Sequence, residues 1–313
     1  MRGRPFSITG LVFTVVTALI VGALPMHAAP TGTILGTVRD ATGAVIAGVE
    51  VKVLNTATNF SRTALTDSLG DYILTSLPLG NYMITATLQG FKQSVIQNIV
   101  LQVDQQARVD ISLQVGEIST KVEVTETQSL LVTDTSAVGQ VIENKKIVDL
   151  PLNGRNFTQL AALTPGALTS QVTGAVGEQH GFTTVQVAGG QSSKTEFLLD
   201  GVSNQEQLFD GVQFVPSVDA IQEFKVQSNA FSAEYGRGTA LINATIKGGT
   251  NEYHGTAFEF LRNDHLDARN FFDRGKGILK QNQFGGTLGG PVIKDRTFFF
   301  GNYDGTRLRR GLT

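Results

Sequence analysis

Apolar and polar residues alternate along much of the chain between residues 31 and 125, and this period of two predicts β-strands. The alternation is clearest in Val49–Val53, Tyr82–Leu88 and Val109–Val115. Turn signals rich in Gly and Asp separate such stretches, for example Asp40–Gly43 and Asp67–Gly70. About seven short strands at this spacing are typical of a small β-sandwich.

The segment after Asp67 predicts a tight turn, because Asp bonds nearby backbone and Gly70 tolerates a positive φ. A calcium loop is the alternative for Asp67 and Asp71, but two carboxylates are few for calcium and a turn explains both. Tyr72 and Tyr82 lie in the strands beside such turns. We expect both tyrosines to point into the core of the sandwich.

Between residues 126 and 250 helix and strand signals are mixed, which predicts an α+β domain. Pro165 should end a first short helix, while Ser217 or Asp219 is the candidate cap of a second. A turn is expected at Asp200-Gly201, directly after a strand. The predicted elements are helices at Asn156–Leu163 and Pro216–Glu223 and extended segments at Phe197–Leu199 and Phe224–Gln227.

Alternation returns after residue 250, where Thr256, Phe258 and Phe260 share one face of a predicted strand. Two turns are predicted further along, at Gly289–Pro291 after a Gly-rich strand and at the polar residues Lys294–Arg296. This part of the chain therefore predicts strands joined as hairpins.

The aromatic residues of these hairpins point to a membrane. Phe298–Phe300 lies close to Tyr303, and such clusters form the girdles of β-barrels at the bilayer interface. After the first thirty residues no run of 18 apolar residues occurs, so any membrane residence must come through strands. The 63 residues after residue 250 suffice for about three or four strands of about 10 residues each, hence only for an incomplete transmembrane β-barrel.

The first 28 residues predict an export signal. Arg2 and Arg4 form a positive start, Leu11–Leu24 is apolar, and cleavage is expected after Ala28. A single membrane anchor is the alternative, but such a helix needs about 20 apolar residues and this run is shorter. An exported chain without cysteine fits the envelope of a Gram-negative cell.

Charge and composition exclude several functions. The formal net charge is −2, from 25 Lys and Arg against 27 Asp and Glu, which excludes a strongly basic nucleic-acid binder. With no Cys and four His there is little material for metal binding or nucleophilic chemistry. Neither a Gly-x-Ser-x-Gly elbow nor a phosphate loop occurs. We therefore predict no catalytic residues, no cofactor and no metal site, hence a protein that is not an enzyme.

Residues 31–125 resemble the carboxypeptidase regulatory-like domain, a transthyretin-like β-sandwich. The segments that carry this resemblance, in the family's order and spacing, are Gly36–Val38, Gly43–Val53, Thr66–Tyr72, Leu77–Tyr82 and Gly90–Phe91. Despite the family's name, the resemblance implies an accessory domain without catalytic residues.

The middle of the chain is similar to the plug domain of TonB-dependent outer-membrane receptors, in particular the Oar-like group. Phe197–Gly201, Pro216–Val226 and Phe231–Gly238 match later parts of that domain in the same order, and residues 251–313 resemble the first hairpins of its barrel. The motif that carries the resemblance most specifically is Leu150, Pro151, Leu152, Asn153, Gly154, Arg155, Asn156 and Phe157.

This resemblance implies energised uptake: a substrate binds outside, and a TonB-type inner-membrane energiser pulls on an extended segment ahead of the plug. Val122, Glu123, Val124 and Thr125 are the candidate docking segment, because an extended stretch can pair with a partner's sheet edge. The alternatives are that the same residues form the last strand of the sandwich or a linker.

The expected organisation is mainly β: a signal peptide at 1–28, a seven-stranded β-sandwich at 31–125, a plug at 126–250 and barrel strands at 251–313. We expect a fragment of a receptor in the Gram-negative outer membrane, with its sandwich in the periplasm. Its expected partners are the energiser, outer-membrane lipid and an unidentified substrate, either an oligosaccharide or a peptide, with no nucleic acid. The alternative function is an envelope carbohydrate-binding or adhesion protein that uses the sandwich.

Overall fold

A computed structural model describes residues 30–116, 121–124, 138–150, 152–171, 183–191, 194–206, 211–228, 238–269, 271 and 275–311. The predicted signal peptide lies outside these residues. None of the helices within them is long and apolar enough to cross a membrane. The elements form three successive bodies, each built around its own sheets.

The first body is a sandwich of two sheets. One has β1 between β4 and the short strands β7 and β8, and the other has the order β3-β2-β5-β6-β9. Because β7 and β8 both pair in parallel with β1, they act as one interrupted strand, and β1–β8 then make the seven predicted strands. The strands are β1 Thr31–Asp40, β2 Glu50–Asn55, β3 Ser61–Leu65, β4 Asp71–Pro78, β5 Gly80–Thr87, β6 Gln93–Leu101, β7 Gln106–Arg108, β8 Ile111–Leu113 and β9 Lys121–Val124.

The predicted turn and both inward tyrosines are confirmed. The Asp67 carboxylate accepts hydrogen bonds from the Leu69 and Asp71 amides at 2.8 and 2.9 Å, and Gly70 has a φ of 76°. Tyr72 and Tyr82 are buried in the core. Each ring's hydroxyl donates to a backbone carbonyl, so the polar end of each tyrosine is satisfied inside the domain.

The backbone of Gly36 in β1 packs closely against Val109, which lies between β7 and β8. A Cβ at this position would lie 2.0 Å from the carbonyl oxygen of Val109, the same oxygen that accepts the Tyr72 hydroxyl at 2.7 Å. We therefore expect Gly36→Ala to destabilise the sandwich by about 3 kcal/mol, near the upper end for overpacking, because backbone cannot move aside cheaply.

Hydrogen exchange of the sandwich amides in the full chain measures this loss. Gly301→Ala is the matched control, since a Cβ there would meet no atom within 4 Å. Equal protection of the sandwich in the two variants would contradict the prediction.

The second body is built on a five-stranded sheet with the order β10-β17-β18-β13-β14, in which β13 and β18 are parallel. Two small hairpins, β11-β12 and β15-β16, and short helices complete it. Its elements are β10 Val138–Glu143, α1 Asn144–Asp149, 3-10 helices Asn153–Arg155, Phe157–Leu163 and Val218–Ala220, β11 Ala167–Gln171, β12 Thr183–Val187, β13 Thr195–Leu199, β14 Val202–Ser203, β15 Gln205–Glu206, β16 Gly211–Val212, β17 Ile221–Ser228 and β18 Ala240–Ile246.

The core of this body meets at Phe157 and Phe224, whose rings pack edge to face at 5.5 Å between centroids. The first predicted helix is confirmed as a 3-10 helix, capped by the Asn156 side chain, which accepts from the Thr158 amide. The second shrinks to the single turn Val218–Ala220. Neither predicted side-chain cap forms there: Ser217 makes no cap hydrogen bond, and the Asp219 carboxylate faces another element.

The third body is the antiparallel sheet β19-β20-β21, with β19 His254–Asn263, β20 Leu279–Ile293 and β21 Thr297–Arg310. The predicted turn at Lys294–Arg296 joins β20 to β21. The turn predicted at Gly289–Pro291 is wrong, because β20 continues through it. A Cβ at Gly290 would lie 2.4 Å from the ring of Tyr253, so this glycine makes room for an aromatic neighbour.

Candidate functional site

Arg155 lies at the centre of the candidate site. It follows Gly154 in a tight turn in which both residues have a positive φ, 65° for Gly154 and 54° for Arg155. The Arg155 amide donates to the Leu152 carbonyl at 3.1 Å and closes the turn. Because a left-handed conformation is unfavourable for a residue with a Cβ, the turn holds Arg155 in a strained position that its side-chain contacts must stabilise.

The Arg155 guanidinium forms a buried ion pair with the Asp219 carboxylate of the Val218–Ala220 turn. The Arg155 side chain is 11% exposed and that of Asp219 is 6% exposed. The guanidinium carbon also lies 4.5 Å from the centre of the Phe258 ring and 4.2 Å from that of Phe260. Arg155 therefore connects the second body to the first strand of the third through charge and cation–π contact.

A second cation lies near the same carboxylate. Burial lowers the pKa of the Lys247 ammonium, and the negative charge of Asp219 opposes this shift. The Lys247 amide donates to the Ala220 carbonyl at 2.8 Å, which fixes the end of β18 beside the Val218–Ala220 turn. Asp219 is thus a buried anion that faces cations from two directions.

The other residues of the Leu150–Phe157 motif surround Arg155. Leu150 ends α1 and Leu152 packs partly against the core, while Asn156 caps the next helix and Phe157 is buried. Asn153 contributes backbone to the turn. Pro151 lies outside the described residues. The motif therefore acts as a bent connection that buries Phe157 on one side and directs Arg155 to the other.

A cleft of about 400 Å³ opens beside this connection. Its walls carry apolar, amide and guanidinium groups, a mixture that suits a polar organic molecule. The side chains that define it best are Leu150, Leu152, Arg155, Phe260, Arg262 and Gln283. Within the part of the chain that the structure describes, no group of three His, Asp or Glu side chains is placed to hold a metal ion.

The candidate docking segment forms an edge strand. The backbone of Lys121–Val124 pairs in parallel with Gln93–Ile96 of β6, so Val122, Glu123 and Val124 extend the second sheet of the sandwich. Thr125 lies outside the described residues. Among the described residues β9 is the last strand in its sheet, and an outer strand edge of this kind can pair with a further strand.

Three domain families match the chain in order. Residues 33–114 match the carboxypeptidase regulatory-like domain and residues 132–241 match the TonB-dependent receptor plug domain, with Arg155 and Asp219 inside the second match. The central body is a TonB-dependent receptor plug domain. Residues 245–313 match an outer membrane beta barrel domain, which covers the aromatic strand that Arg155 contacts.

One curated relative matches most of the chain. The TonB-dependent transporter Oar of Myxococcus xanthus is 29% identical over 295 residues, covering 88% of this chain and 27% of its own length. The chain thus spans about a quarter of the relative it matches, and that relative is a transporter rather than an enzyme. The resemblance to the N-terminal portion of an Oar-like receptor is therefore confirmed.

Two solved structures align with parts of the chain. The siderophore receptor PirA of Acinetobacter baumannii aligns with a TM-score of 0.41 at 22% identity, covering 58% of this chain and 26% of its own. The Streptococcal ancillary pilin aligns with a TM-score of 0.22 at 24% identity, covering 27% of this chain and 32% of its own.

Sequence reasoning singled out Leu150–Phe157 but missed the partners of Arg155. Asp219 was predicted as a cap, and Phe258 and Phe260 were predicted only to share a strand face. Part of the signal was nevertheless present, because two aromatic rings two positions apart on one face of a strand form a suitable surface for a guanidinium.

Proposed function

We propose that this chain forms the periplasmic domain, plug and first barrel strands of an outer-membrane receptor that imports its substrate by energised transport. The observation that carries the proposal is the seat of Arg155, which ties the plug to a strand of the outer membrane beta barrel domain. The ion pair with Asp219 fixes Arg155 within the plug, and the two rings contact it from the barrel strand, so this contact can hold at rest and still be broken by force. Oligosaccharides and peptides are the candidate substrates, because the cleft beside Arg155 combines charged, amide and aromatic groups.

The hairpin geometry supports a periplasmic place for the sandwich. β20 and β21 are joined by Lys294–Arg296, whereas β19 and β20 are joined by residues 264–278. In outer-membrane barrels the short turns face the periplasm and the long loops face outside. The short turn contacts the sandwich: the Asp295 carboxylate accepts from the Asn59 side-chain amide at 2.7 Å.

Export by a cleaved signal completes the proposal. We expect mass spectrometry of the chain recovered from outer membranes to find residue 29 at its N-terminus. Recovery of the chain with residues 1–28 attached would contradict the signal peptide and favour an anchor.

Uptake is tested in cells that carry the complete open reading frame containing this chain. Fluorescent oligosaccharides and peptides are supplied, and accumulation is compared between intact cells, cells that lack the gene and cells that lack the TonB-type energiser. We expect one substrate class to accumulate only in intact cells. Binding to the cell surface that survives loss of the energiser, with no accumulation, would favour an adhesion or carbohydrate-binding protein.

The docking role of β9 is tested with two neighbouring prolines. Successive amides of a strand point to opposite edges, so one of Val122→Pro and Glu123→Pro removes a bond to β6 and the other removes an outward donor. We expect the outward variant to keep the protection of the sandwich in hydrogen exchange but to lose co-purification with the periplasmic domain of the TonB-type energiser. The inward variant controls for damage to the sheet. Co-purification that survives both prolines would contradict docking at β9.

A further inference from the structure

The sandwich contacts the plug sheet through the turn between β6 and β7. The backbone amide of Val103 donates to the Glu223 carboxylate at 2.5 Å. The Lys225 ammonium donates to the carbonyls of Val103 and Asp104 at 2.7 and 3.2 Å. A third contact joins the Asn243 amide to the Asp104 carboxylate at 3.5 Å. The turn between β6 and β7 therefore binds three side chains of the plug, those of Glu223, Lys225 and Asn243.

This contact is buried. Val103 is 0% exposed, and Glu223 and Lys225 are both buried although they lie on the polar side of β17. They alternate with Phe224 and Val226, which pack into the plug core. The sandwich thus covers a charged face of the plug sheet. Two desolvated charges that contact another domain cost free energy unless that domain supplies their hydrogen bonds.

A second contact lies at the barrel strands. Asp295, in the short turn between β20 and β21, accepts from the side-chain amides of Asn59 in the sandwich and Asn251 at 2.7 Å each. The backbone amide of Asn251 donates to the Ala57 carbonyl at 2.9 Å. The sandwich therefore touches the plug through one turn and the barrel hairpin through another.

We propose that the β-sandwich is a lock that fastens the plug to the barrel wall, and that the contact of Glu223 and Lys225 with the Val103-Asp104 turn must open before the plug can move. The proposal rests on the proposed function, since it concerns the displacement of that plug. In this arrangement Arg155 of the plug contacts the barrel strand β19 directly. The sandwich adds an indirect connection, because it contacts both the plug and the barrel strands.

The lock is sensitive to protons. Burial raises the pKa of the Glu223 carboxyl to about 7, although the hydrogen bond from Val103 and the charge of Lys225 lower it. The carboxylates of Asp104 on the sandwich and Glu143 on β10 raise it further. Burial lowers the pKa of Lys225, against the opposing charges of Asp104 and Glu223.

The direction of the effect follows from linkage. When the contact is closed Glu223 holds its proton up to about pH 7, whereas an exposed carboxyl releases it near 4.5. Closure therefore takes up a proton. The equilibrium constant for closure is highest at acidic pH and falls by up to about tenfold per pH unit as the pH rises from 4.5 to 7.

The first test measures closure in the full chain in detergent. Because the protein has no cysteine, Thr63→Cys and Val202→Cys accept one spin label on the sandwich and one on the plug without background. Pulsed electron paramagnetic resonance at pH 5.5 and pH 8 should show a broader, longer distance distribution at pH 8. Glu223→Gln, added to the pair, should keep the short distance at both values. If the protein that keeps Glu223 gave identical distance distributions at the two pH values, the proton-linked lock would be overturned.

The second test asks whether the lock controls transport. Asp104→Cys with Asn243→Cys, in the complete reading frame, is joined by a short reducible bis-thiosulfonate reagent in cells. Uptake should stop on cross-linking and return on reduction, while treated cells that carry the unsubstituted reading frame should transport normally. Equal uptake before and after cross-linking would overturn the lock but leave the receptor. Absence of any energiser-dependent uptake in untreated cells would instead overturn the proposed function.

Discussion

Replacement of Arg155 by alanine is expected to lower the free energy of opening of the plug sheet by about 3–5 kcal/mol. The substitution removes the ion pair and both ring contacts, and it leaves the Asp219 carboxylate buried without its guanidinium. Native-state hydrogen exchange of β17 and β18 in the full chain measures the loss. Strands of the sandwich should keep their protection, because Arg155 makes its contacts within the other two bodies.

A double-mutant cycle separates the ion pair from general damage. Asp219→Asn removes the charge that Arg155 compensates, so Arg155→Ala with Asp219→Asn should be destabilised by less than the sum of the single variants. Arg155→Lys keeps the charge but lacks the planar group that stacks on Phe258 and Phe260, and it should fall between wild type and alanine. Strictly additive losses would contradict a coupled pair.

The second large effect is expected from Phe224→Ala. Phe224 is fully buried and packs edge to face on Phe157, so truncation leaves a cavity at the point where the plug sheet meets its 3-10 helix. Such substitutions cost about 3–5 kcal/mol. The plug amides should exchange faster by several orders of magnitude, and Leu150–Phe157 should lose its bent geometry.

Phe214→Ala is the matched control for this cavity. It makes the same chemical change in the same domain, but the Phe214 ring is exposed. We expect protection of the plug to stay within experimental error in this variant. If the exposed and buried phenylalanines lost equal protection, the core assigned around Phe157 and Phe224 would be wrong.

The sandwich was predictable because its local signals agree with one another. Alternation, the Asp67 turn and the positions of Tyr72 and Tyr82 all describe the same two-sheet structure, so each signal supports the others. The Asp200-Gly201 turn after β13 was also predictable, because Asp and Gly are common turn residues that tolerate a positive φ. Both residues have a positive φ in the structure.

Errors arose where a residue serves a distant neighbour. Gly290 was interpreted as a turn residue, but it leaves room for the Tyr253 ring, which lies directly before β19. Asp219 is of a residue type that often caps helices and lies where a cap is expected, yet it pairs with Arg155, 64 positions away. Local propensity carries no information about such contacts, because they depend on how whole elements are placed.

The charged face of β17 illustrates the same limit. Glu223 and Lys225 alternate with buried phenylalanine and valine, and a strand with this pattern normally turns its polar side to water. Here another domain covers that side. The sequence shows the alternation and predicts the sandwich, but it does not show that the sandwich covers this side of β17, so the lock could not be inferred before the structure.

The parallel pairing of β1 with β7 and β8 has a consequence for how the chain is delivered. Contacts between these strands join residues 73 positions apart, as from Thr37 to Asp110. In a chain that is exported from its N-terminus, β1 therefore emerges about 73 residues before the strands that pair with it in parallel. The first sheet can be completed only after β8 has emerged at residues 111–113, when nearly the whole sandwich has crossed.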